Sequence, residues 1–323
     1  MFWLLTAARR LRELGILGMN RRNAACILDH NPRVKYPLVD DKLRLDALCR
    51  KLSVATPDLY GVINYHSMLR RLPELLGDRC DFVVKPNQGS AGRGVLVLAG
   101  RKGNDYLRHN GETLTLEDLR QHLSDVLSGM YSLGGRPDQA ILQQRVRLHP
   151  AFETIAYKGI PDVRVVLYRN EPAMAMLRLP TKESNGRANL HQGGIGTGID
   201  LDSGFTHHAV QRNRFVELHP DTGLPVVGLR VPHWAEILEM SQRVAEAVGL
   251  GYVGVDIVVD AERGPLLLEA NARPGLAIQI ANAQGLMPRL KAIDARLAQR
   301  ARSLEWLRKH ELVEEDVPHR AAG

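Results

Sequence analysis

Cysteine is scarce in this chain. Cys26, Cys49 and Cys80 are an odd number with no metal-ligand spacing, which argues against a disulfide framework or a zinc cluster and suits a reducing cytoplasm. No stretch approaches the ~18 consecutive apolar residues of a membrane-spanning helix. The opening MFWLLTAARRLRELG is not a secretory signal, because its apolar part is short and its charges follow that part. Aromatics make up only 5% of residues, and no recognition motif accompanies the basic charge, which argues against a nucleic-acid partner. Repeats, low-complexity tracts and Ser-His-Asp or Cys-His signatures are also lacking.

What is present is a basic globular chain of 323 residues with net charge +7 and 44% hydrophobic content. Residues 1–35 hold Arg9, Arg10, Arg12, Arg21, Arg22, Arg33 and Lys35 against Glu13 and Asp29. With Phe2, Trp3 and Leu5 this arm reads as an amphipathic basic helix. It suits either packing on its own protein or lying on an anionic membrane or a membrane-associated partner. The latter would place the chain in the cytoplasm at the inner membrane surface.

Beyond Asn31-Pro32, residues 41–52 predict a helix capped by Asp40 or Asp41, with Leu45, Leu48 and Leu52 at helical spacing. DFVVKP (81–86) and GVLVLAG (94–100) read as strands joined by NQGSAGRG. Residues 116–130 read as a helix, and 140–148, 162–170 and 172–180 as strands. Residues 185–204 are glycine-rich and aperiodic, the pattern of a long loop. Pro232 opens a helix that Gly249 or Gly251 stops. YVGVDIVVD (252–260) and PLLLEAN (265–271) read as an antiparallel hairpin, and Arg289 to Trp306 as a closing helix. Paired strands with intervening helices predict an α+β fold with antiparallel sheets.

Three constellations carry chemistry. In KPNQGSAGRGV, Lys85 ends a buried strand and Gly89, Gly92 and Gly94 follow. Glycines let backbone N–H groups approach phosphate oxygens, and the lysine adds a point charge. This is neither a Walker A loop, since the lysine comes first, nor a Rossmann fingerprint, since a strand follows. A plain glycine-rich hairpin is the alternative. In LLLEANARPGL, Glu269, Asn271 and Arg273 leave the strand end on one face. Asp256 lies within the apolar run of the neighbouring strand, and a lone buried carboxylate needs a partner. Oxygen ligands of this kind suit Mg²⁺; the alternative is an ion pair with Arg273 or Arg263. Arg164 and Arg178 fall inside apolar strands and need anionic partners, either a substrate group or an internal carboxylate. Asn189 and His191 alternate ahead of Gly193-Gly194.

These elements, DDKLRLDALCRKLSVATP, FVVKPNQGSAGRGV, DVRVVL, MLRLPTKESNGRANLHQGG, GVDIV and LLEANARPGL, run in one order from about Asp40 to Leu276. Together they resemble the ATP-grasp superfamily of carboxylate–amine ligases, nearest the ribosomal-protein glutamate ligase group of alpha-L-glutamate ligase-like proteins. The resemblance implies two α+β subdomains clasping ATP. It divides the chain into a basic arm (1–40), a small subdomain with the glycine loop (41–140), a second subdomain with the metal and substrate site (141–301) and a polar tail (302–323). It implies that Lys42 and Lys85 hold ATP phosphates and that Gly89, Ser90, Ala91, Gly92 and Gly94 cover them. Gln143, Gln144, Arg145 and Val146 would form the adenine hinge, with glutamine where the family usually has glutamate. Asp256, Glu269 and Asn271 would ligate Mg²⁺, or Mn²⁺ in its place. Arg164, Arg178, Asn189 and His191 would face the transferring phosphate. The implied reaction is amide or peptide bond formation through an acyl phosphate. A small-molecule or peptide carboxylate would be joined to an amine, for example glutamate or another amino acid. A phosphotransferase, or a catalytically silent ATP-binding scaffold docking through the arm, would use the same nucleotide site.

Only 41 residues precede Lys42, where family members usually carry a further domain. That leaves room for a partner protein or a second subunit of a homo-oligomer to complete the pocket.

Overall fold

The structure is a computed structural model and describes residues 9–89 and 92–309. Phe2, Trp3, Leu5, Ser90, Ala91 and the tail from residue 310 lie outside the described residues.

Two antiparallel sheets organise the chain. The first has six strands in the order β1-β6-β2-β3-β4-β5. They are β1 (Leu59–Ile63), β2 (Asp81–Pro86), β3 (Leu96–Lys102), β4 (Asp105–Arg108), β5 (Thr113–Leu114) and β6 (Ala140–Gln143). Its core of Ile63, Phe82, Val84, Leu98 and Leu142 packs on α2 (Leu116–Leu127) through Leu119, Leu123 and Val126. Thr115 starts that helix with a capping box, accepting from Asp118 N while the Asp118 carboxylate accepts from Thr115 N.

The second sheet has seven strands in the order β11-β10-β9-β8-β7-β12-β13. They are β7 (Asp162–Tyr168), β8 (Glu171–Leu179), β9 (Ile195–Ile199), β10 (Thr206–Gln211), β11 (Arg214–Phe215), β12 (Tyr252–Asp260) and β13 (Gly264–Asn271). One face packs Val163, Val165, Val255 and Ile257 on α3 (Trp234–Val248) and on α1 (Lys42–Lys51), whose Leu45 and Cys49 are buried there. The helix expected at 41–52 therefore shares its core with the second sheet. At one end of the opposite face, Val166, Met174 and Tyr252 pack on Leu286, Leu290 and Ile293 at the base of α4 (Met287–Lys309).

Two expectations need correcting. The aperiodic segment 185–204 contains β9, reading IGTGI. Its glycines answer to close packing, since a Cβ on Gly198 would stand 2.7 Å from Ala281 O and one on Gly196 would stand 2.6 Å from Leu190. The strand expected at 140–148 ends at Gln143, after which the chain leaves the sheet toward Asp58.

The arm is a broken series of turns, including a π-helical turn at Arg22–Leu28, and from Leu17 onward it packs on its own protein. Leu17, Cys26 and Ile27 are buried in the α4 core. Asn31 donates to Tyr252 O (2.7 Å) and Ala272 O (3.0 Å) and accepts from Tyr252 N (2.9 Å). Gln279 clamps Leu17 through both its N–H and its C=O.

Candidate functional site

The β12–β13 hairpin sets the centre of the site. Its register places Asp256 opposite Glu269 and Gly254 opposite Asn271, and the β7–β12 register places Arg164 opposite Asp256. Three charged side chains thus stand abreast on adjoining strands. Arg164 grips Asp256 in a fork, Nε to Oδ1 at 2.6 Å and Nη2 to Oδ2 at 2.5 Å, and its Nη2 lies 3.9 Å from Glu269 Oε1. Arg178 on β8 spans two acids. Its Nη2 reaches Asp256 Oδ2 at 2.6 Å and Asp162 Oδ2 at 2.7 Å, and its Nε also bonds Asp162. The anionic partners the arginines required are therefore Asp256 and Asp162. Arg263 instead pairs with Asp58.

The electrostatics follow from this crowding. Burial would raise Asp256, but Arg164 and Arg178 outweigh it and hold the carboxyl far below the usual range. Burial and the neighbouring Asp256 charge push Glu269 upward. Burial also raises Asp162, against the pull of Arg178. Glu269 stands farther from Arg164 than Asp256 does, at 3.9 Å, and its side chain is 37% accessible. Two acids and the carboxamide of Asn271 form an all-oxygen donor set on one face. A divalent cation there would relieve the Asp256–Glu269 repulsion, so the residues fit Mg²⁺ or Mn²⁺. Asn271 Oδ1 already accepts from Arg273 N at 2.7 Å, with a lone pair to spare.

Lys42, at the start of α1, and Lys85, near the end of β2, line one cleft with Asp46, Thr56, Leu59, Ile141, Gln143, Leu267 and Leu268. Burial is the main cause lowering both ammonium groups. Lys85 is pushed down to about 8, with Lys42 adding to the effect, while Glu269 partly offsets the fall at Lys42. Lys42 Nζ donates to the carbonyls of Asn87 (3.2 Å) and Gly89 (2.7 Å), the stem of the glycine loop.

The loop is anchored by two residues that the sequence reading passed over. Asp138 accepts from Gln88 N at 2.9 Å, from Gln139 N at 2.8 Å and from Ser132 Oγ at 2.6 Å. Asn87, fully buried, accepts from Leu43 N at 3.0 Å and so ties the loop to α1. Asn87 stands beside the glycine run in the sequence, whereas Asp138 lies far downstream and has no signal there. Gly94 has φ +71, and a Cβ there would lie 2.5 Å from the Tyr131 ring, so the loop's far end needs glycine. Gly92 faces Arg187 of the 181–194 segment, whose Cδ is 3.8 Å from where a Cβ would sit.

Of the expected hinge residues Gln143 shares the lysine cleft, and the others are more dispersed. Gln143 is buried in β6. Gln144 exchanges bonds with Asp58, the Arg145 side chain pairs with Asp81, and Val146 packs on Val258 and Leu266. Asn189 folds back on its own turn, its Oδ1 accepting from His191 N at 2.9 Å, and His191 is exposed. Neither is joined to the Arg164–Arg178 cluster by a hydrogen bond among the described residues.

A family model described as sugar-transfer associated ATP-grasp matches residues 21–295. A cyanophycin synthetase of Synechocystis sp. is 22% identical over 302 residues, covering 88% of this chain and 33% of that protein. A probable alpha-L-glutamate ligase of Sodalis glossinidius is 30% identical over 151 residues, 46% of this chain and 40% of that protein. Among solved structures, the ATP-grasp ligase PsnB complexed with minimal precursor, Mg and ADP aligns over 82% of this chain and 61% of its own, at 17% identity and TM-score 0.45. The chain spans about a third of the length of the cyanophycin synthetases it matches.

Proposed function

The chain belongs to the sugar-transfer associated ATP-grasp family, and from that premise we propose that it is an ATP- and Mg²⁺-dependent ligase joining a carboxylate to an amine through an acyl phosphate. The observation that carries this reading is the register that sets Asp256, Glu269 and Arg164 side by side, in a chain whose Lys42 and Lys85 line one cleft. Residues 41–140 and 141–301 would clasp the nucleotide, with α1 carried on the second sheet.

A carboxylate approaching a triphosphate meets several like charges, and the site supplies what offsets them. Mg²⁺, held by Glu269, Asn271 and Asp256, would neutralise phosphate charge. Lys42 would exchange its bonds to the loop carbonyls for bonds to phosphate oxygens, and Lys85 would add a second ammonium. Arg164, held rigid by Asp256, and Arg178, held by Asp162 and Asp256, keep positive charge in place without reorganisation. Gln143 to Val146 would meet the adenine through backbone groups. Asn189, His191 and the glycine loop would close over the reacting groups and exclude water. The name of one relative, a probable alpha-L-glutamate ligase, supports an amino acid as one of the two molecules joined.

The test is hydroxylamine trapping. ADP release accompanied by a hydroxamate, both lost in Glu269→Ala, is the expected result. ADP release that yields phosphorylated product and no hydroxamate would indicate a phosphotransferase. Absence of nucleotide turnover with intact binding would indicate a scaffold.

The arm supports a separate proposal for location. Leu11 and Leu14 are exposed beside Arg9, Arg10 and Arg12, a surface suited to an anionic membrane or a membrane-associated partner. Among the described residues no helix is long and apolar enough to cross a membrane. Co-flotation with anionic liposomes, lost in Leu11→Glu, tests it.

A further inference from the structure

We propose that Arg273, laid over the ring of Tyr36 two residues beyond Asn271, binds a second acidic group on the carboxylate substrate, an inference that rests on the ligase reading above. The backbone on both sides of Arg273 is tied to the arm. Ala272 O accepts from Asn31 Nδ2 at 3.0 Å, and Pro274 O accepts from Arg22 Nη1 at 3.2 Å. Its own N–H is held by Asn271 Oδ1 at 2.7 Å. The side chain between these fixed points has its guanidinium 4.8 Å from the Tyr36 ring centroid, and Tyr36 is itself half-buried against both cores of the second sheet. A guanidinium on an aromatic plate keeps its in-plane N–H fork free for a carboxylate.

Among the described residues Arg273 makes no ion pair, in contrast to Arg164 and Arg178. Asp40 feels the charge of Arg273 without pairing with it. Arg273 lies two residues beyond Asn271, past a bend at 272–273 that the bond from Arg273 N to Asn271 Oδ1 closes, so the two residues are near neighbours. An acid bound to Arg273 would therefore belong to the same small molecule as a carboxylate reacting beside Asn271. Short dicarboxylates, including acidic amino acids, are the class that spans this gap. The arm becomes a wall of the substrate pocket, since Tyr36, Asn31 and Arg22 together mount the recognising residue.

The test uses glutarate as the probe and pentanoate, of equal chain length with one carboxylate, as the comparator. Calorimetric titrations are made into the full chain saturated with Mg²⁺ and a non-hydrolysable ATP analogue. Glutarate is expected to bind saturably and pentanoate about tenfold more weakly, and Arg273→Gln to bring glutarate down to the pentanoate level. Nucleotide affinity and thermal midpoint should not move, because the Arg273 side chain is exposed. Tyr36→Phe is expected to keep the glutarate preference and Tyr36→Leu to weaken it. Glutarate and pentanoate binding alike in the wild type, no glutarate binding, or an unchanged glutarate affinity in Arg273→Gln would each overturn the subsite while leaving the ligase reading intact. Failure of the wild type to bind the nucleotide analogue would overturn both.

Discussion

Lys85 shows how a single residue couples folding, pH and nucleotide. Its ammonium, charged near pH 7, is driven down to about 8 from an ordinary 10.5 by burial and by Lys42. The unfolded chain keeps that proton to higher pH than the folded one. Stability should therefore rise between about 8 and 10.5, as the folded state no longer carries a buried charge. Nucleotide affinity should move the other way, falling about tenfold per pH unit above that midpoint, because the neutral amine no longer pairs with phosphate. Fluorescence titrations of an ATP analogue from pH 7 to 10 would show the break, and Lys85→Gln should remove it. A second expectation concerns Asp162. Asp162→Asn takes one acid from Arg178 and should cost roughly 3 kcal/mol in urea unfolding, since it disturbs a buried ion network. Much at this scale was legible in the sequence: acids and arginines inside apolar strands announce buried charge that must be paired. Which partner each arginine takes was not, because Arg164 meets Asp256 only through the pairing of β7 with β12, strands far apart in the chain.

At the scale of elements, the glycine loop and β9 show where pattern reading works and where it stops. The strand–loop–strand order around 81–102 follows from apolar runs broken by glycine. The anchors of the loop, Asn87 and Asp138, do not, since Asp138 comes some fifty residues later and reaches Gln88 through tertiary contact. Asp138→Ala strips acceptors from Gln88, Gln139 and Ser132 and should raise the ATP KM several-fold. It should also cost about 1–3 kcal/mol in stability, both readable on one purified variant. β9 was illegible because Gly196 and Gly198 carry no side chains to alternate; they are there for the approach of Leu190 and Ala281. Gly198→Ala should therefore destabilise by about 1–3 kcal/mol through overpacking, measured as a lower urea midpoint with unchanged slope.

At the scale of the whole molecule, residues 17–36 wrap the end of the second sheet, and Asn31 bridges Tyr252 and Ala272. The arm's charge was visible in the sequence, but its docking was not, since one asparagine carries no periodicity. At roughly 1 kcal/mol per hydrogen bond, Asn31→Ala should cost about 3 kcal/mol, seen in thermal unfolding.

The central claim is that Glu269 and its neighbours gather Mg²⁺ beneath a nucleotide held by Lys42 and Lys85. It is tested most directly by measuring ATP affinity with Mg²⁺ and with EDTA in the wild type and in Glu269→Ala. The account predicts that removing Mg²⁺ weakens wild-type binding at least about tenfold and that Glu269→Ala loses this dependence. A Glu269→Ala protein that binds MgATP as tightly as the wild type, with the same response to EDTA, would contradict it.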